Sequence, residues 1–180
     1  MSKVHLDLTE AKLTDDVKRQ RLIYECYRLA YESDCLKAKF GSVVVLDWKV
    51  IGYGWNHVPN PDYCCEKDCV GSLRKDVPSS TRVKSCYAVH AEQAALLMAG
   101  SLARGADIYV AGYGSDGRPL IKDTSLPIDH PNRGVYCTVC ARLIWEARCK
   151  NIFMESTEGL ISYNPKDIWK DSYAVAGKSI

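Results

Sequence analysis

Two short motifs constrain this chain more than anything else in it: His90-Ala91-Glu92 and Cys137-Thr138-Val139-Cys140. Each stands where an apolar helical pattern begins after a loop, over residues 90–102 and 138–148, so each reads as a helix N-terminus. Two thiolates spaced i, i+3 face the same way on a helix, and the positive end of its dipole helps keep them deprotonated. A fold that uses both motifs must bring two helix starts together, so that one imidazole and two thiolates converge on a single ion.

Three protein ligands leave the fourth position of a tetrahedral zinc to water, the arrangement of a catalytic site rather than a closed structural one. Bound zinc lowers the pKa of its water to roughly 7, which makes hydroxide available at neutral pH. Glu92, two residues after His90, can reach that water and a substrate nitrogen without ligating the metal, which suits it to move protons. Either motif alone is weak, because His-x-Glu arises by chance and a Cys-x-x-Cys among nine cysteines can be buried packing. Their occurrence in this order, each opening a helix, is what points to zinc held by His90, Cys137 and Cys140.

Composition bounds the rest. A chain of 180 residues, 47% hydrophobic and 26% charged, fits one soluble domain spanning 1–180. A formal net charge of +2 is too small for a nucleic-acid or anionic-membrane surface and favours a small-molecule partner. No apolar run reaches 18 residues and the first ten residues lack a signal-like core, so the expected setting is the cytoplasm. Cysteines in that reducing setting serve as metal ligands or catalytic groups more often than as disulfides.

Thr14 can cap a first helix whose opening turn carries Asp15 and Asp16. Residues 42–46 and 50–55 read as strands joined through Asp47-Trp48-Lys49. Residues 59–84, rich in Pro, Cys, Ser and charge, read as an excursion that needs something to order it. A strand over 106–111 follows the His90 helix. A long connection over 112–134 precedes the Cys137 helix, and a strand over 152–155 and a last helix opened by Asn164-Pro165 complete the chain. This order predicts a three-layer α/β domain with helices on both faces of one mixed sheet.

The pairing of His90-x-Glu92 with Cys137-x-x-Cys140 resembles the cytidine deaminase superfamily, whose zinc signature it matches. The stretches Phe40-Gly41-Ser42-Val43-Val44-Val45, Ile51-Gly52-Tyr53-Gly54-Trp55-Asn56, His90-Ala91-Glu92-Gln93 and Cys137-Thr138-Val139-Cys140-Ala141 are most similar to deoxycytidylate (dCMP) deaminases of bacterial and phage type. The resemblance implies the α-β-α fold of that superfamily. It also implies hydrolytic deamination of dCMP to dUMP and ammonia by a zinc-activated hydroxide, with Glu92 as proton shuttle. Asn56 would bond the substrate sugar, and the backbone at Ala91 and Cys137 would read the amino group and its surroundings. A homo-oligomer, commonly a hexamer, with dCTP and dTTP as effectors is part of the same implication. So is a second, structural zinc held by Cys64, Cys69 and Cys86, with Cys65 or His57 as fourth ligand; the alternative there is unliganded thiols. Cys26, Cys35 and Cys149 read as small buried hydrophobes.

Three departures bear on the substrate. Tyr136 stands where the family usually has Pro, Ala94 where dCMP deaminases usually have Asn, and the connection over 112–134 is long enough to be a lid, a specificity loop or an oligomer contact. A modified dCMP, a nucleoside or another aminated heterocycle is the alternative substrate. A nucleotide-binding or structural protein on the same scaffold is the alternative of another class, and editing of a nucleic-acid base is disfavoured by charge.

Overall fold

A computed structural model of the chain describes residues 6–9, 12–59, 62, 86–126 and 137–177, the last five as backbone. Helix α1 (Asp15–Ala30) starts where expected: the Thr14 hydroxyl accepts from the N–H of Val17 at 3.4 Å, and Asp15 and Asp16 sit at the positive end of the helix. Strands β1 (Ala38–Leu46) and β2 (Lys49–Trp55) form a hairpin. Its turn is two residues, Asp47-Trp48, one shorter than the sequence suggests, because both take left-handed backbone (φ 48° and 64°), the twist that a tight hairpin requires.

Helix α2 (Ala91–Ala99) runs into a 3-10 turn over Gly100–Ala103. Strand β3 (Asp107–Gly114), helix α3 (Thr138–Glu146), strands β4 (Asn151–Ser156) and β5 (Gly159–Tyr163), and helix α4 (Pro165–Gly177) follow. The five strands lie in the order β2-β1-β3-β4-β5. β3 and β4 are parallel and the other neighbours antiparallel, so the sheet is mixed, as expected.

β5 and β3 depart from the sequence reading. β5 is an additional strand that folds back on β4 through Thr157-Glu158. β3 runs past Ala111 to Gly114 because β1 pairs with it as far as Ala38↔Gly114.

The period-2 alternation of the strands divides the core in two. Val43, Val45, Tyr109, Ala111 and Phe153 face α1, where they pack on Leu22, Ile23, Cys26 and Leu29. Val44, Ile108, Val110, Ile152 and Met154 face the other helices, against Ala95, Ala99, Cys140, Ile144 and Ile168. The result is three layers, with α1 alone on one face and α2, α3 and α4 on the other. Cys26 and Cys149 are buried hydrophobes as expected, whereas Cys35 is only half-buried.

Close helix approach is made possible by glycines. A Cβ on Gly52 would lie 2.3 Å from the Ala95 carbonyl and 2.9 Å from Ala99. β2 and α2 therefore touch backbone to backbone, which fixes the height of His90 above the sheet.

Candidate metal centre

His90 is the N-cap of α2, in extended conformation (φ −76°, ψ 155°), with its carbonyl accepting the first helical bond from Ala94 at 3.0 Å. Gln93, three residues on, reaches back to accept from the His90 N–H at 2.8 Å, one half of a capping box. Cys137 is likewise the N-cap of α3 (φ −60°, ψ 122°), and its carbonyl accepts from Ala141 at 2.8 Å. Both motifs thus place their first residue at the joint between loop and helix.

Ligand atoms of His90, Cys137 and Cys140 lie within 4.8 Å of one another, and Cys140 Sγ stands 3.3 Å from His90 Nδ1. Among the described residues this is the one group of three or more metal-type donors so arranged. A tetrahedral zinc with its usual bond lengths needs N···S near ~3.6 Å and S···S near ~3.8 Å, so the donor set fits zinc without rearrangement of the helices.

Protons are distributed unequally over the three. A hydrogen bond from Cys140 holds the Cys137 thiol down at about 4, against the opposing cost of burial. The same bond, with burial and the nearby Glu92 charge, pushes the Cys140 thiol up. The bond to Cys137 raises His90. All three shifts arise from the closeness of the donors to one another, so His90, Cys137 and Cys140 interact strongly at one point. Glu92, in the first turn of α2, is 7% exposed and lies against Cys140.

The remaining sequence-derived site residues divide. Ala91 is fully buried at the first position of α2, where helix-start N–H groups lack intrahelical partners. Asn56 is buried just beyond β2, and its side-chain amide lies on β1: Oδ1 accepts from the Phe40 N–H at 2.7 Å and Nδ2 donates to the Ala38 carbonyl at 2.8 Å. Cys86 is half-buried, and the ring Nδ1 of His57 stands 2.9 Å from the Trp55 carbonyl. Cys64, Cys65, Cys69 and Tyr136 lie outside the described residues. Gln93 is a positioning residue that the sequence reading missed, although its spacing from His90 is a recognisable signal.

The connection after β3 is anchored over its first part. It turns at Gly117 (φ 74°), pairs back onto β3 through Leu120 N–H to Gly112 O at 2.8 Å, and then crosses to β4. There Lys122 donates to the Glu155 carbonyl at 3.1 Å and accepts from Thr157 at 2.9 Å. The described part of this connection is thus a strap laced across the ends of β3 and β4, while residues 127–136 lie outside the described ones. The Glu155 carboxylate accepts from the Tyr27 hydroxyl, and the Tyr27 ring packs against Tyr113, so α1 holds the β3 and β4 residues on which the strap is anchored. Tyr27→Phe should lower stability by about 1.5 kcal/mol, a hydrogen bond to a charged group, and the melting temperature by about 3–6 °C. Faster hydrogen exchange at the Lys122 amide than in the wild type is the local signature; unchanged exchange there would mean that the strap does not depend on Tyr27.

A family model of the cytidine and deoxycytidylate deaminase zinc-binding region matches residues 16–156. The chain belongs to this family. Over 72 residues it is 42% identical to a deoxycytidylate deaminase of Mycobacterium phage D29, a match that covers 38% of this chain and 56% of the relative, so the chain spans little more than half the length of that relative. Among solved structures it is similar to the dCMP deaminase of cyanophage S-TIM5 in apo form, at 16% identity over 89% of this chain and 94% of that one, with a TM-score of 0.51. The cyanophage structure supports the shared deaminase fold. Among the described residues, no helix is long and apolar enough to cross a membrane.

Proposed function

We propose that this deaminase-family chain hydrolyses dCMP to dUMP and ammonia, with His90, Cys137 and Cys140 holding a catalytic zinc and Glu92 moving the protons. The observation that carries this reading is the convergence of the three donors from two helix starts, with a buried carboxylate beside them that the donor set does not need. The zinc would supply a Lewis acid that makes water nucleophilic near neutral pH.

This chain's own residues do the rest. The α2 and α3 starts aim the donors at one point. Glu92 takes the two protons of the attacking water in turn, giving the first to the ring nitrogen and the second to the amine, which leaves as ammonia when the C–N bond breaks. Ala91 presents its backbone at the mouth of α2. Asn56 stands at the end of β2, where Phe40 and Ala38 hold one bond at each end of its amide, so the sugar would be met by the second Nδ2 hydrogen or the second Oδ1 lone pair. The phage relative's name supports a pyrimidine deoxynucleotide as substrate. Exposed Leu97, Met98, Leu102, Val139 and Leu143 on α2, the 3-10 turn and α3 support a homo-oligomer.

Ala94 favours a modified dCMP or another amine as the alternative substrate, because its side chain closes on Gly54 and offers no polar group. Ammonia release by the zinc-loaded protein, measured over dCMP, deoxycytidine and 5-substituted dCMP, tests the choice. dCMP should exceed deoxycytidine in kcat/KM by more than about tenfold, equivalent to about 1.4 kcal/mol of transition-state binding. An inert dCMP beside a reactive alternative amine would overturn the substrate and leave the reaction class standing.

A further inference from the structure

Ser33 lies between α1 and β1, far in sequence from both metal motifs, and is 2% exposed. Its backbone N–H donates to the Ala30 carbonyl at 3.1 Å, closing the end of α1. Its hydroxyl donates to the backbone carbonyl of Asn56 at 2.6 Å and accepts from the Cys35 N–H at 3.2 Å. The hydroxyl thus acts as donor and acceptor at once, tying the end of α1 to the end of β2.

From Asn56 the path continues to the metal centre. The Asn56 N–H donates to the Phe40 carbonyl at 3.1 Å, and its side chain grips the same stretch of β1. The next residue, His57, exchanges both backbone bonds with Val89, at 3.1 Å and 2.9 Å. Val89 immediately precedes His90. Three segments remote in sequence, around residues 33, 56–57 and 89–90, therefore form one hydrogen-bonded chain that ends on a metal donor.

We infer that Ser33 is a positioning residue for the metal centre: its hydroxyl sets the backbone at Asn56, and the His57–Val89 pair carries that placement to His90. The inference rests on the reading of His90, Cys137 and Cys140 as a zinc site. Partners bonded directly to a metal ligand are worth tenfold or more in affinity, and Ser33, which acts through the backbone of Asn56, His57 and Val89, should contribute less.

Ser42 provides the comparison. It is fully buried and its hydroxyl also donates to a backbone carbonyl, that of Tyr109 at 2.9 Å, but this bond joins β1 to β3 and lies outside the chain that reaches His90. Zinc affinity by chelator competition, and the absorption spectrum of the cobalt(II) form, should be measured for the wild type, Ser33→Ala, Ser42→Ala and Ser33→Thr. Ser33→Ala should weaken zinc by about threefold, below the tenfold of a direct ligand partner, and shift the cobalt spectrum. Ser42→Ala should leave both unchanged, and Ser33→Thr, which keeps a hydroxyl, should recover affinity. If Ser33→Ala does not fold, Ser33→Cys, a weaker donor of similar size, should show the same direction. Wild-type affinity and spectrum in the Ser33 variant, or equal weakening in both alanine variants, overturns the inference. A wild type that takes up no zinc overturns the reading of the site itself, before any variant is compared.

Discussion

Glu92→Gln should bind zinc as the wild type does and lose turnover by about 10²–10⁴, the usual contribution of a positioned acid or base. Glutamine keeps the size and most of the packing of a side chain that is 7% exposed in the first turn of α2, so the fold has little reason to change. It cannot take up and release a proton, which is the one capacity the proposed mechanism asks of this position. Metal content per chain and kcat, measured on the same preparation, separate the roles. Lost zinc would make Glu92 part of the metal's support, and turnover within a few-fold of wild type would remove it from the chemistry.

The largest stability effect should come from Gly41→Ala. A Cβ at Gly41 would stand 2.0 Å from the Cys26 carbonyl, 2.8 Å from Leu29 Cβ and 2.9 Å from the Ala30 nitrogen, so a methyl group there meets helix backbone rather than a flexible side chain. α1 must move off the sheet or unwind near its end. Overpacking commonly costs about 1–3 kcal/mol, and contact with backbone from α1 puts this case at the top, at about 3 kcal/mol. For a chain of this size that lowers the melting temperature by about 6–12 °C. Gly105→Ala is the control: nothing lies within 4 Å, and only its φ of 76° resists, at about 1–2 kcal/mol. Equal melting temperatures for the two variants would mean that α1 does not press on β1 as described.

Much of this architecture is legible in the sequence, for reasons that differ by element. The Thr14 cap, the paired β-rich runs and the two motif-bearing helices carry local signals, and local signals survive into the fold. The convergence of His90, Cys137 and Cys140 follows from two helix starts that each announce themselves. β5 was missed because it is short, only partly buried and entered through Thr157-Glu158 without the usual Asn-Gly signal. The end of α3 comes early because Arg148 adopts left-handed backbone (φ 57°) where the sequence offers no glycine. Gly112 and Gly114 suggest a loop yet lie inside β3, since strand pairing with β1 overrides their poor propensity. The support of Asn56 by Ser33 joins residues 23 apart, and no pattern within one element can reveal it.

The strap across β3 and β4 has an evolutionary consequence. Its ties at Leu120 and Lys122 are made by peptide groups, so they are indifferent to which side chains those positions carry. At exposed Leu120 in particular, mutational drift can repaint the surface at the end of the sheet, with charge, bulk or aromatic rings, while the path of the chain stays fixed. Proline is barred at 120 and 122, where an N–H must donate. The scaffold thus gives lineages a site for altering what they contact without renegotiating how they fold.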